Sequence, residues 1–95
     1  MALDDDSRGQ LERIIDRAVA EITTKVSIIR MMKPELLIKE ESDFAMGVAF
    51  GEIITSFAAS RALGRGRLTN EELKEAWTVI MKRAREIRDA IFKTG

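Results

Sequence analysis

Apolar residues recur along the first part of the chain with the spacing of an amphipathic helix. They stand three or four residues apart, at Leu11, Ile15, Ala18, Ile22, Val26 and Ile29. Residues at these steps share one face of an α-helix. Ser7, with Gln10 three residues later, suits a helix start because the serine hydroxyl can cap the first turn. The pattern predicts a first helix over residues 7–32, preceded by a disordered segment over residues 1–6.

A second helical segment follows Pro34. Because proline has no backbone N–H and disfavours helical geometry at the residue before it, we expect a break at Lys33. The second helix then begins at Pro34 or, if another turn intervenes, at Ser42, and it ends near residue 63 before the glycines of LGRGR. Its later part is apolar on nearly every side, and such a helix must be covered on every side. We therefore expect copies of the chain to associate through this helix.

Small residues form a strip along the second helix. The strip consists of Gly47, Gly51, Thr55, Ala58 and Ala62. It would let another helix approach closely, because small side chains occupy little space between two helix backbones. A tight contact within the core is the expected use of the strip.

The last part of the chain has the clearest helix start. Thr69 can cap the first turn and Glu72, three residues later, completes a capping box. The apolar positions that follow alternate in steps of four and three, as in the seam of a helical bundle. They are Leu73, Trp77, Ile80, Ala84, Ile87 and Ile91. The pattern predicts a third helix over residues 70–93.

Together these segments predict an all-α fold in a single helical domain over residues 1–95. The expected architecture is an antiparallel bundle of three long helices that self-associates into a larger helical bundle. A homo-oligomer follows from the apolar second helix, and the sequence leaves open whether it is a dimer or a tetramer.

The charges of the chain balance, and two chemically useful residue types are absent. Sixteen basic and sixteen acidic residues create no net field that would attract nucleic acid or an anionic membrane. Without cysteine or histidine, the chain cannot form disulfides, thiolate sites or histidine-based catalysts. The acidic start is unlike a signal peptide. We expect a cytoplasmic protein with no nucleic-acid and no membrane partner, since Glu52 and Arg61 interrupt the apolar residues 44–63.

Glu52 is the one charged residue between positions 45 and 60. A buried carboxylate without a partner is costly, or takes up a proton. One interpretation is an ion pair with Lys82, with Arg85 or with an arginine of another subunit. A second is a ligand of a metal or phosphate site, and a third is a protonated, hydrogen-bonded side chain.

Carboxylates stand three residues apart at the start of the third helix, at Glu72 and Glu75, and Glu52 stands on the second helix. Two antiparallel helices with such carboxylates can gather oxygen ligands around a hard cation such as magnesium. In this respect the segments AFGEI and EELKEAW resemble the all-α nucleoside triphosphate pyrophosphohydrolases of MazG type, over residues 45–88. That superfamily carries an ExxE motif, often within EExGEL, on one helix and an ExxD motif, often within EELxDV, on the next.

The resemblance implies magnesium-dependent cleavage of a nucleotide to a monophosphate and pyrophosphate, by dimers or tetramers. Glu52, Glu72 and Glu75 would be the metal ligands. Ala49 stands at the first glutamate of the first motif and Glu75 at the aspartate of the second.

Basic residues on the third helix extend this hypothesis. Lys82, Arg83 and Arg85 would be directed toward the phosphates of the nucleotide. The alternative is a non-enzymatic, homo-oligomeric helical interaction protein of unknown partner. Binding of a divalent ion separates the two, because a bundle stabilised by ion pairs has no reason to hold magnesium tightly.

Overall fold

The computed structural model describes residues 2–93, and all regular secondary structure within them is helical. Five α-helices follow one another, with no strand in this part of the chain: α1 (Asp5–Ala20), α2 (Ile22–Leu36), α3 (Glu41–Arg65), α4 (Asn70–Lys82) and α5 (Ala84–Lys93). The predicted all-α class is confirmed.

The longest helix, α3, lies at the centre and packs against each of the other four helices. It runs antiparallel to α1 and α2, because Asp4 before α1 pairs with Arg65 at the end of α3. At the other end, Arg30 of α2 donates to Glu41 at the start of α3 over 2.6 Å. The molecule measures 41 × 23 × 18 Å.

The beginning of α1 corrects the prediction of a disordered segment over residues 1–6. Asp4, not Ser7, is the cap, and its carboxylate accepts a hydrogen bond of 2.8 Å from the Ser7 N–H. Asp5 and Asp6 already lie in the first turn, where negative charge is favourable at the positive end of the helix dipole. Leu3 is buried; position 1 lies outside the described residues.

The predicted first helix is wrong in two places. It breaks at Glu21, between α1 and α2, and it then continues through Pro34 rather than stopping at Lys33. Pro34 lies within the last turn of α2, so its missing N–H removes one hydrogen bond close to the helix end. Leu37, directly after the helix, is its C-cap and has left-handed geometry with φ of 54°, and the Ile38 N–H donates to the Lys33 carbonyl over 3.2 Å.

The later helices match the predictions more closely. Of the two predicted starts for the second helix, the later one near Ser42 is confirmed, because α3 begins at Glu41. The capping box is also confirmed: the Glu72 N–H donates to the Thr69 hydroxyl over 3.1 Å, and the Thr69 N–H donates to the Glu72 carboxylate over 3.0 Å. The predicted third helix, however, divides at Arg83 into α4 and α5.

The core is built from one stripe of each helix. In α3 the buried residues are Ala45, Ala49, Ile53 and Phe57, each one turn after the last. They pack with Leu11 and Ile15 of α1, Val26 of α2, Ile80 of α4 and Ile87 of α5. Among the described residues, no helix combines the length and the apolar character needed to cross a membrane.

Candidate functional site

The carboxylate of Glu52 forms an ion pair with Lys25 on α2, with 2.8 Å between the oxygen and the lysine nitrogen. Its side chain is 43 % exposed, so Glu52 lies at the border of the core rather than inside it. The expected ion pair exists, but its partner is neither Lys82 nor Arg85. The contact with Glu52 raises the pKa of Lys25 above its ordinary value, because the positive charge is held next to a carboxylate.

Glu72 is buried at the corner between α3 and α4. Its carboxylate accepts the capping-box hydrogen bond from the Thr69 N–H and pairs with Arg61 on α3. The Thr69 N–H, and after it the Arg61 guanidinium, lower the pKa of Glu72. One side chain therefore caps α4 and joins it to the end of α3.

Glu75, one turn further along α4, faces the beginning of the chain. It accepts a hydrogen bond of 2.7 Å from the Leu3 N–H and forms an ion pair with Arg8. These two contacts, the backbone hydrogen bond first, lower the pKa of Glu75. The carboxylate thus fixes the segment before α1 against α4.

The predicted metal ligands lie apart within one chain. Glu72 pairs with Arg61, whose position on α3 lies nine residues, about 13 Å along the helix axis, beyond that of Glu52. Over residues 2–93 no group of three or more acidic side chains is placed to hold a metal ion. Ala49, at the place of the missing glutamate, is buried in the core. Each predicted ligand instead forms an ion pair with a basic side chain.

Of the three residues predicted to bind phosphate, Arg83 has most of its donors occupied. Its guanidinium donates to the carbonyl and carboxylate of Glu12 over 3.2 and 3.1 Å, and pairs with Asp16 over 2.7 Å. A further bond joins it to Glu86. Burial alone would lower the pKa of Arg83, but its three carboxylate partners raise it. Arg83 therefore ties the break between α4 and α5 to α1.

The other two basic residues are not involved in such contacts. Lys82 and Arg85 are exposed, and neither forms an ion pair with the described part of the chain. The structure therefore does not gather Lys82, Arg83 and Arg85 around one point, and their predicted role toward phosphate stays a prediction.

The strip of small residues on α3 points away from the core, which corrects the expectation of a tight core contact. The side of α3 turned to solvent carries Phe44, Gly47, Gly51, Thr55 and Ala62, with Ala58 half-buried beside them. An ideal Cβ built on Gly47 or Gly51 would meet no neighbouring side chain or helix within 4 Å. Sequence reasoning missed this orientation, although the opposite side of α3, with Ile53 and Phe57, offers far more apolar surface to a core.

An apolar flank of α2 borders this strip. Ile28, Met32 and Leu36 follow Lys25 at steps of three or four residues, so they lie on the same side of α2 as Lys25. Because Lys25 contacts Glu52, this side of α2 is next to α3. All three apolar side chains are exposed, by 45, 38 and 54 % respectively.

An apolar flank of α4 borders the strip on its other side. Trp77 meets Phe50 of α3 edge to face, with 6.3 Å between the ring centroids. Leu73 and Met81, one turn before and one turn after Trp77, are both exposed. We call the small-residue strip of α3 and these two flanks the open face. Between Phe44 and Ala62 no charged residue lies on its central strip, since Glu52 and Arg61 turn toward α2 and α4.

Comparisons with protein-family models, with curated proteins and with solved structures find no match to this chain.

Proposed function

We propose that this protein is a helical interaction module that assembles with copies of itself through the open face. The observation that carries the proposal is the exposure of Gly47 and Gly51 in the middle of α3, with free space around both. A glycine inside a helix costs roughly 0.5–1 kcal/mol relative to alanine. No neighbour within residues 2–93 comes close enough to explain a glycine at either position. The close approach of another helix backbone would explain both glycines.

A second copy of the chain is the partner that fits this face best. The central strip is uncharged, so the same strip on another copy meets it without repulsion between like charges. Apolar side chains on both flanks, among them Met32 and Met81, are exposed in the single chain. Large continuous apolar surfaces of this kind mark interaction sites on soluble proteins.

The accessible surface of the single chain is larger than that of a compact monomer of the same mass. The chain exposes 6233 Å², whereas a compact monomer of 10.7 kDa is expected to expose about 5500 Å². The excess fits an elongated chain that leaves apolar side chains uncovered. In this proposal α1 and α2 form one arm, α3 the second, and α4 and α5 the third, so each copy contributes three antiparallel arms to a larger bundle.

The test is the mass of the protein in solution, measured by sedimentation equilibrium. We expect a multiple of 10.7 kDa for the wild type and the mass of one chain for Gly51→Leu, because a leucine at this position holds the second backbone away. Gly64→Leu is the matched control, since Gly64 lies on the same helix, outside the open face and also in free space. Circular dichroism establishes that both variants keep their helices.

A wild type that stays monomeric at its highest soluble concentration contradicts the proposal. So does a Gly51→Leu variant that assembles as well as Gly64→Leu. Either result would mean that the open face is not the surface through which copies meet.

The magnesium-dependent nucleotide pyrophosphohydrolase implied by the family resemblance stays a prediction. Magnesium held by Glu52, Glu72 and Glu75 would require each carboxylate to leave its basic partner. Calorimetric titration of magnesium into the wild type and Glu52→Ala decides between the two functions. Saturable magnesium binding that disappears in a folded Glu52→Ala protein supports the hydrolase. No magnesium binding by the wild type favours the interaction module.

A further inference from the structure

A cavity of about 290 Å³ lies between the start of α1 and the end of α3. Glu52, Glu72 and Glu75 do not line it, although Glu72 pairs with one of its arginines, Arg61. Most of the polar side chains around it can donate hydrogen bonds: Arg13, Arg61, Arg65, Gln10, Ser7 and Ser60, with Asp6 as the single carboxylate in the lining.

Arg61 is the most unusual of these side chains because part of its guanidinium lacks acceptors. One nitrogen pairs with Glu72, but Nε and Nη1 are buried and have no hydrogen-bond partner. The side chain is only 13 % exposed. Buried donors in native proteins nearly always have a partner, so these two nitrogens can donate to a molecule or ion that enters the cavity.

Two further guanidinium groups stand at the same cavity. Arg13 is exposed and forms no ion pair with the described residues, so its charge is available. Arg65 pairs with Asp4 at the rim. The Asp6 side chain, 3.9 Å from Arg65, is 92 % exposed and can turn into solvent when an anion enters.

We propose that this cavity binds a phosphate group. Guanidinium groups match the oxygens of phosphate with paired hydrogen bonds and carry a charge that is never lost at physiological pH. Arg61 supplies the buried donors and Arg13 the unpaired charge, while Gln10 and Ser60 offer neutral hydrogen bonds at the edge. The volume lies at the small end of ligand sites, which suits a phosphate ion or a small phosphomonoester.

The experiment is calorimetric titration of inorganic phosphate into the full chain at low ionic strength. Arg13→Gln is the decisive variant, because Arg13 has no ion pair whose loss would unfold the protein. Arg17→Gln is its matched control: it lies one turn further along α1, is exposed and is not part of this cavity. We expect saturable binding to the wild type, weakened about tenfold by Arg13→Gln and unchanged by Arg17→Gln.

A second arm repeats the titration with glycerol phosphate. Tighter binding of this monoester assigns the site to an organic phosphate, whereas equal or weaker binding assigns it to the free ion. Wild type that takes up neither compound overturns the proposal. Equal weakening by Arg13→Gln and Arg17→Gln does so as well, since that result is the mark of a general effect of charge.

Discussion

The two sides of α3 are both apolar, yet only one of them is buried in the core of a single chain. The inner side carries Ile53 and Phe57, which are fully buried. The outer side carries Gly47 and Gly51, which are exposed and would leave an added Cβ with no neighbour within 4 Å. The comparison shows that side-chain volume, rather than apolar character, distinguishes the side that builds the core from the side left for a neighbour.

The largest effect is expected on the inner side. Phe57→Ala removes a fully buried aromatic side chain and should lower the free energy of unfolding by about 3–5 kcal/mol. Thr55→Ala on the outer side should change it by less than about 0.5 kcal/mol in the dissociated chain. Urea unfolding measures both. Similar losses for the two variants would remove the distinction between the sides.

A smaller effect, of opposite sign, is expected on the outer side. Gly51→Ala should raise the stability of the dissociated chain by about 0.5–1 kcal/mol, because alanine favours the helix. The same methyl group should weaken assembly, because it lies where the second helix approaches. Unfolding measured at low and at high protein concentration separates the two effects. A variant that gains stability equally at both concentrations would show that no helix packs on Gly51.

Acid should act on the fold without acting directly on the open face, and this is the smallest of the three effects. The pKa values of Glu72 and Glu75 are lowered in the folded chain. Their stabilisation is therefore fully present above the ordinary carboxyl pKa and is lost as the pH falls through the lowered values. The central strip of the open face has no carboxylate.

The measurement is the thermal midpoint as the pH is lowered. We expect the midpoint to fall in the wild type and to depend less on pH in the double variant Glu72→Gln, Glu75→Gln, which has a lower midpoint at neutral pH. Dissociation that begins at a higher pH than the loss of stability would indicate an acidic group in the interface.

Features set by neighbouring residues were predictable from the sequence. The capping box of Thr69 and Glu72 involves residues only three positions apart, and α3 begins within one residue of Ser42, the later of the two predicted starts. The breaks at Glu21 and Arg83 have no proline or glycine beside them that would predict a break. At Arg83 the contacts that accompany the break come from Glu12 and Asp16 on α1, which the local sequence does not reveal.

The candidate sites were less predictable, because each depends on residues that are distant in sequence. The sequence predicts an ion pair for Glu52 but not the partner Lys25, because nothing in the local sequence shows that α2 lies beside this part of α3. Glu75 pairs with Arg8, 67 positions away, in a segment that was expected to be disordered. The cavity of Arg13 and Arg61 likewise exists only once α1 lies along the end of α3.

The length of α3 determines the outline of any assembly formed through the open face. Its 25 residues extend for about 37 Å, nearly the full 41 Å of the molecule. Copies joined along this helix therefore lie side by side rather than end to end. In small-angle X-ray scattering such a pair is a thicker particle of almost unchanged length, with a radius of gyration only moderately above the 14.3 Å of one chain.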